Sequence, residues 1–245
     1  MIHYHGLPIT PATAAAQAVT GGHAFVSFRH RDQLGLAIEV CQSFAVDNGA
    51  FSAWKSGSPI LDWSHFYEWV ESIKNVPNFD FAVIPDVIDG SEADNDRLVR
   101  DWPFDGYGAP VWHMHESLRR LKDLANNFHR VCIGSSGDFA FVGDAKWFAR
   151  MDEVMETVCN DRGLPVCKLH GLRMLNPDIF TKFPFASADS TNIGQNIGID
   201  SAWRGTYMPM NKEARAAVMR SRIESFNGLS SWAKNSTTQQ EFKLI

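Results

Sequence analysis

The chain has 245 residues, with 23 Lys and Arg against 28 Asp and Glu for a formal net charge of -5, and 44% of it is hydrophobic. That length supports a full core in one large or two small domains, so no staple of disulfides or metal is needed to hold it. The slight acidity excludes a protein that coats nucleic acid by bulk charge and leaves room only for a local basic groove.

Short apolar or β-branched runs alternate with longer amphipathic stretches along the chain. The first strand is expected at 2–5 (IHYH), followed by an Ala-rich helix opened by Thr10-Pro11 and closed by Gly21-Gly22. Strands at 24–28 and 43–47 come next, then a helix capped by Asp62, on which Trp63, Phe66, Tyr67, Val70 and Ile73 recur at helical spacing as a core face. After a strand at 81–85, Ser91 with Asp94 opens a polar helix. A strand at 110–114 leads to a helix over 116–127, and a strand at 130–134 to a helix over 144–160 with Trp147, Phe148, Met151 and Met155 on one face. Strands at 165–169 and 185–189, a closing helix over 211–234 and a polar tail over 235–245, expected to be disordered, complete the reading.

Eight strands separated by helices in this length predict an α/β fold, a single-domain (β/α)8 TIM barrel over 1–234. A doubly wound sheet would carry a Gly-rich turn after its first strand, and Gly6-Leu7-Pro8 is not that turn. Cys41, Cys132, Cys159 and Cys167 form no Cys-x2-Cys pair, which fits reduced thiols in a cytoplasmic protein rather than a disulfide or zinc framework. No stretch approaches the roughly 20 apolar residues of a membrane span, and the start lacks the basic-then-apolar pattern of a signal peptide, so no membrane partner is expected.

Active sites of such barrels lie at the carboxyl ends of the strands. Those ends read Val46-Asp47-Asn48-Gly49, Ile84-Pro85-Asp86, Val111-Trp112-His113-Met114-His115-Glu116 and Ala188-Asp189-Ser190-Thr191, with Ile133-Gly134-Ser135 and Leu169-His170-Gly171 offering backbone amides. An aspartate ending a strand also suits a helix N-cap. Three converging carboxylates suit chemistry at a sugar C1′, one attacking the anomeric carbon and another moving protons. They equally suit a metal. His3 and His5, at i, i+2 on the first strand, share one face, and with His113, His170 and Asp189 they outline a metal-dependent hydrolase of amidohydrolase type. The bridging lysine and the sixth-strand histidine of that type have no counterpart here.

The strand-end motifs, in order, resemble those of the tRNA-guanine transglycosylases. Val46-Asp47-Asn48-Gly49-Ala50-Phe51 is similar to their Asp-Ser-Gly-Gly-Phe loop, Asp86 to their base-recognition aspartate, Val111-Trp112-His113 to Val-Gln-Gly, and Ile133-Gly134-Ser135-Ser136-Gly137 to Ile-Gly-Gly-Leu. His170-Gly171-Leu172-Arg173, Asn176-Pro177-Asp178 and Ala188-Asp189-Ser190-Thr191-Asn192 follow their Met-Gly-Val-Gly, Pro-x-Asp-Leu and Phe-Asp-Cys series. The likeness runs from about Ala24 to Asn196. It departs in lacking any cysteine after Asp189, whereas the tRNA enzymes carry a Cys-x-Cys-x2-Cys zinc segment there. That departure resembles the branch that exchanges guanine for 7-deazaguanine bases in DNA.

The resemblance implies a transferase without metal or other cofactor. Asp189 would be the nucleophile and Asp47 the general acid/base. Asp86 would hold the N1–H and 2-amino edge of the base, and Gly134, Ser135, His113 or His170 its O6 edge. Asn48, Phe51 and Gly171 would line the same pocket, with Trp54 and Trp112 as further stacking candidates. The partners would be DNA, flipped out or single-stranded, and a free 7-deazaguanine base. A tRNA substrate and a non-catalytic base-binding barrel stay open beside it. Phosphate contacts would come from Arg29 and Arg31, Arg119-Arg120-Lys122, or Lys212, Arg215, Arg220 and Arg222, each of which also reads as a solvated face.

Overall fold

A computed structural model describes residues 1–203 and 205–233. Nine parallel strands form a nearly closed barrel with helices between them: β1 (Ile2–Leu7), β2 (His23–Ser27), β3 (Ser43–Asp47), β4 (Phe79–Val83), β5 (Gly108–Ala109), β6 (Val111–His113), β7 (Arg130–Gly134), β8 (Lys168–Gly171) and β9 (Ser187–Ser190). Their order is β5-β4-β3-β2-β1-β9-β8-β7-β6. The sheet ends, β5 and β6, are two halves of one extended stretch split at Pro110. Gly108 and Ala109 pair with β4, while Val111 to His113 pair with β7. Proline has no N–H to give to a ladder, so the expected strand at 110–114 becomes a hand-over between neighbours. It starts two residues earlier, at Gly108.

Strand periodicity divides the side chains. Tyr4, Phe25, Ala45, Phe81, Val83, Ala109, Val111 and Cys132 fill the barrel interior. The alternate residues face the helices: Ala24, Val26, Phe44 and Val46 pack with Ala18, Phe66 and Val70, and Val131, Ile133, Leu169 and Ala188 pack with Leu121, Trp147 and Met151. Each large side chain buried in these layers contributes roughly 1.5–3 kcal/mol. The aromatic helix expected after Asp62 spans Ser64–Ile73 and is core-facing through Phe66, Trp69, Val70 and Ile73. Asp62 lies just before it and accepts from the Ser64 amide at 2.9 Å.

Other caps follow the sequence more closely. Ser91 and Asp94 form a reciprocal capping box on Glu92–Arg100, Asp144 caps Ala145–Val158 and Asn211 caps Lys212–Glu224. Pro11, not Thr10, stands at the cap of Ala12–Val19. The helix expected over 116–127 begins at Leu118, capped by Ser117. The closing helix stops at Glu224, ten residues short of the expectation. Beyond it Gly228 lies so close to the Phe183 carbonyl that a Cβ would sit 3.0 Å from it. The polar tail over 235–245 lies outside the described residues. No helix among the described residues is long and apolar enough to cross a membrane, and all four cysteines are free thiols.

The amino-terminal end of the barrel is plugged by a polar cluster. The Tyr4 hydroxyl donates to Asp80 Oδ2 at 2.5 Å, and Arg130 donates to both Asp80 oxygens at 2.8 and 3.3 Å. The Arg130 guanidinium also lies over the Phe81 ring, 4.0 Å from its centre.

Candidate active site

At the opposite, carboxyl end of the strands lies a cavity of about 860 Å³, walled by Asp47, Phe51, Asp86, His113, Arg173 and Asp189 among others. That is within the range of small-molecule sites and ample for a nucleotide. The period-two pattern places its carboxylates: Asp47 continues the inward series from Ala45 on β3, and Asp189 sits two residues past inward-facing Ser187 on β9. Asp86 enters from the turn after β4. Gly134 and Ser135 line the cavity at the end of β7. A Cβ on Gly134 would meet His113 Nδ1 at 3.2 Å, so this position admits no side chain without moving the histidine.

Asp47 takes a hydrogen bond from the Gly49 amide at 3.0 Å and a longer one from the Ser27 hydroxyl at 3.3 Å, both on Oδ2. Gly49 has φ of 82°, a left-handed turn that brings its N–H back onto the carboxylate and starts Ala50–Lys55. Burial, reinforced by the charges of Asp189 and Asp86, raises the Asp47 carboxyl to about 7. A carboxylic acid is thereby poised to hold or release a proton near neutrality.

Asp86 is buried, and its position is fixed by Asn48. The Asn48 amide donates to Asp86 Oδ1 at 2.7 Å and to the Ile84 carbonyl at 2.9 Å, while its oxygen accepts from the Ala50 amide at 2.7 Å. Asn48, expected to touch substrate, thus also acts through Asp86. His113 Nε2 lies 2.9 Å from Asp86 Oδ2, at ion-pair distance but off the line of the ring N–H, so this buried nitrogen makes no hydrogen bond. The backbone around His113 is held by Glu116, which accepts from the His113 amide at 2.9 Å, from Asn95 at 2.9 Å and from Arg120 at 2.6 Å.

Asp189 is held through one oxygen. Its Oδ1 accepts from the Arg173 amide at 2.9 Å and lies 3.3 Å from His170 Nε2. His170 is fully buried beneath the cavity, stacked on Phe25 at 5.3 Å, with Nδ1 2.8 Å from the Ser187 hydroxyl. Burial pushes the His170 imidazole below its ordinary range despite Asp189 nearby. A neutral ring fits this network with Nε2–H donated to Asp189 and Nδ1 accepting from Ser187. Oδ2 of Asp189 accepts no hydrogen bond among the described residues.

The expected site residues fall into two groups. Asp47, Asn48, Phe51, Asp86, His113, Gly134, Ser135 and Asp189 share the cavity wall. His170 and Gly171 do not: His170 supports Asp189 from below, and a Cβ on Gly171 would lie 2.9 Å from Met174 Cβ, in the packing behind the wall. Trp112 is fully buried on the helix side, its Nε1 donated to the Ser117 carbonyl at 2.9 Å, while Trp54 is exposed and lies against Phe51 outside the cavity. Of the basic groups, Arg120 is buried against Glu116 and Asp96 and is no phosphate contact. Arg215 and Arg220 are tied to carbonyls and to Asp200 and Glu224. Arg29 and Arg31 are exposed; His30 between them lines the cavity, while the Arg31 guanidinium lies over Phe28, 4.8 Å from its centre.

His3 and His5 share a face, but it is the outward one. His3 Nε2 pairs with the Phe226 carbonyl at 3.1 Å and His5 Nε2 with Glu224 at 3.1 Å, both against the closing segment, while Tyr4 takes the interior. The histidine pair that an amidohydrolase-type site needs inside the barrel mouth therefore points away from it. Sequence reasoning gave no role to Arg173, Ser27 or Glu116. Arg173 closes a strand-end motif and Ser27 ends β2 on its inward series, so position on the rim was the available signal.

Comparison with protein-family models, with curated proteins and with solved structures gives no match.

Proposed function

We propose that the chain is a base-exchange transglycosylase that replaces guanine in DNA with a 7-deazaguanine through a covalent glycosyl-aspartate. The observation that carries this reading is the unequal setting of two carboxylates on one cavity large enough for a nucleotide. Asp47 is raised to about 7, and Asp189 presents an oxygen that accepts no hydrogen bond among the described residues. The likeness of the strand-end motifs to the tRNA-guanine transglycosylases supports it, and so does the placement of Asp86 and His113 on the same wall.

In the proposed cycle Asp189 Oδ2 attacks C1′ of deoxyguanosine. The C1′–N9 bond breaks, its electron pair stays on N9, and protonated Asp47 supplies the proton that makes neutral guanine. The incoming base then gives its N9 proton to Asp47, N9 attacks C1′, and the ester oxygen leaves as the Asp189 carboxylate. Two inversions retain configuration at C1′. Asp86, fixed by Asn48 and with His113 Nε2 2.9 Å from its Oδ2, accepts from the N1–H and 2-amino edge, and His113 lines the same wall. An adenine would leave these buried groups unpaired, a strong basis for rejection.

The test is exchange of labelled guanine into single-stranded DNA. Asp189→Ala and Asp189→Asn are expected to lower it by about 10³-fold or more with an unchanged circular dichroism spectrum, and a covalent protein–DNA adduct is expected on denaturing gels for wild type only. Retained exchange in either variant refutes the assignment. Labelling of tRNA in place of DNA would move the chain to the tRNA branch, and base binding without an adduct would make it a non-catalytic barrel.

A further inference from the structure

Arg173 follows the end of β8 and carries φ of 59°, the one non-glycine residue with positive φ among those described. A left-handed backbone is disfavoured for an ordinary side chain, and such positions persist where surroundings or function hold them. Here the turn sends the Arg173 amide onto Asp189 Oδ1 at 2.9 Å and the side chain across the cavity wall, its Cζ 3.7 Å from the centre of the Phe51 ring. Stacking fixes the plane of the guanidinium and leaves its edge free for planar recognition. Among the described residues that edge makes no ion pair and only one long hydrogen bond, to the Ser135 carbonyl at 3.4 Å. The cavity's carboxylates are bonded to Asn48, Gly49, Ser27 and backbone groups instead.

An exposed cation stacked on the cavity wall with nearly all its donors unspent, beside a carboxylate held ready for a sugar carbon, is suited to an oxyanion. Resting on the transglycosylase reading of this cavity, we infer that Arg173 forms a phosphate subsite that grips the phosphate ester of the target nucleotide and so sets its C1′ over Asp189. The exposed Lys55 lines the same cavity and extends positive charge outward along the strand. Guanidinium–phosphate pairing is bidentate and charge-assisted, and its selectivity is for the nucleotide over the nucleoside or free base.

Glycine tolerates the backbone at this position without strain, so Arg173→Gly removes the guanidinium while keeping the amide on Asp189. Calorimetric titration at low ionic strength would use four probes: guanine, 2′-deoxyguanosine, 2′-deoxyguanosine 3′,5′-bisphosphate and inorganic phosphate. Wild type is expected to bind the bisphosphate about tenfold or more tightly than the nucleoside, the scale of one charged hydrogen-bond pair. Arg173→Gly is expected to erase that preference and leave guanine affinity within about twofold. Equal binding of nucleoside and bisphosphate by wild type, or a preference that survives in Arg173→Gly, overturns the subsite while the base reading stands. Binding of bisphosphate and inorganic phosphate through Arg173, with no affinity for guanine or nucleoside, keeps the subsite and overturns the base reading. Failure of every probe overturns both.

Discussion

The two ends of the barrel treat the same side chain in opposite ways. At the amino-terminal end Asp80 is half-buried, which pushes its carboxyl up, but the Arg130 guanidinium and the Tyr4 hydroxyl more than offset this and hold it below the usual carboxylate range. At the carboxyl end Asp47 has no ion pair among the described residues, and burial with two neighbouring aspartates lifts it to about 7. One end spends its charges on each other and gains rigidity. The other gathers three carboxylates on a cavity wall with only the unpaired Arg173 guanidinium near them, an arrangement that costs stability and in the proposed cycle would provide acid, base and nucleophile.

The largest expected effect on stability comes from breaking the compensated end. Arg130→Met would leave the half-buried Asp80 without its partner and should cost about 1.5–3 kcal/mol in urea denaturation. Adding Asp80→Asn should recover part of the loss, since the uncompensated charge is then gone. A loss under about 1 kcal/mol would mean that the plug is no more than a surface pair. At the other end the sign reverses, because removing one of several crowded carboxylates relieves repulsion. Asp189→Asn should therefore keep or raise the unfolding midpoint while exchange collapses.

The next effect concerns pH. With a folded-state value of about 7 against an ordinary 3.8, folded Asp47 holds a proton between those limits that the unfolded chain has released. Stability from this group consequently falls as pH rises from about 4 to 7 and is flat outside that window. A sealed site would lose on the order of 4 kcal/mol, and solvent reaching Asp47 through the cavity reduces this to about 2–3 kcal/mol. His3, His23 and His170, whose burial lowers their values, act the other way and lose stability as pH falls below their ordinary range. The measurement is thus the difference between wild type and Asp47→Asn across pH 4–8, which should shift against wild type as pH rises. In the proposed cycle, kcat/KM for DNA needs protonated Asp47 and falls above about pH 7, whereas kcat/KM for the incoming base needs the carboxylate and falls below it.

How much of this contrast the sequence displays depends on whether local pattern or tertiary contact decides it. Asp47, Asp86, His113 and Asp189 follow apolar runs and so read as rim residues, and Ser91 with Asp94, Asp144 and Asn211 announce their caps through local chemistry alone. The direction of β1 is not local: His-Tyr-His alternates without an apolar side, and only packing against Glu224 and Phe226 turns the histidines outward. Arg120 reads as a surface cation on its helix, yet Glu116 and Asp96 from another helix draw it into the interior. Asp80 precedes the expected strand at 81–85, and its partner Arg130 lies fifty residues on, so the plug was invisible before the barrel closed.

A smaller effect tests the neighbouring charge as a cause of the Asp47 setting. In Asp189→Asn the repulsion from that site disappears while burial stays, and Asp47 should titrate about one pH unit lower by carboxyl carbon NMR. An unchanged titration would assign the shift to burial alone and weaken the picture of a crowded, uncompensated end.

The smallest effect concerns Ser27, the side chain that donates to Asp47 from β2. Its hydroxyl lies 3.3 Å from Oδ2, longer than the 3.0 Å bond from the Gly49 amide to the same oxygen. A bond to the charged form lowers a carboxyl's value, and a long one contributes about 0.5 kcal/mol, or roughly 0.4 of a pH unit. Ser27→Ala should therefore raise Asp47 by that amount and move the descending limb of kcat/KM for DNA to slightly higher pH, with the maximum little changed. A downward shift would mean that the hydroxyl serves the protonated acid rather than the carboxylate. Asp47 would then be tuned to hold its proton and not to release it, and Ser27 would belong with the groups that raise the site above the compensated Asp80.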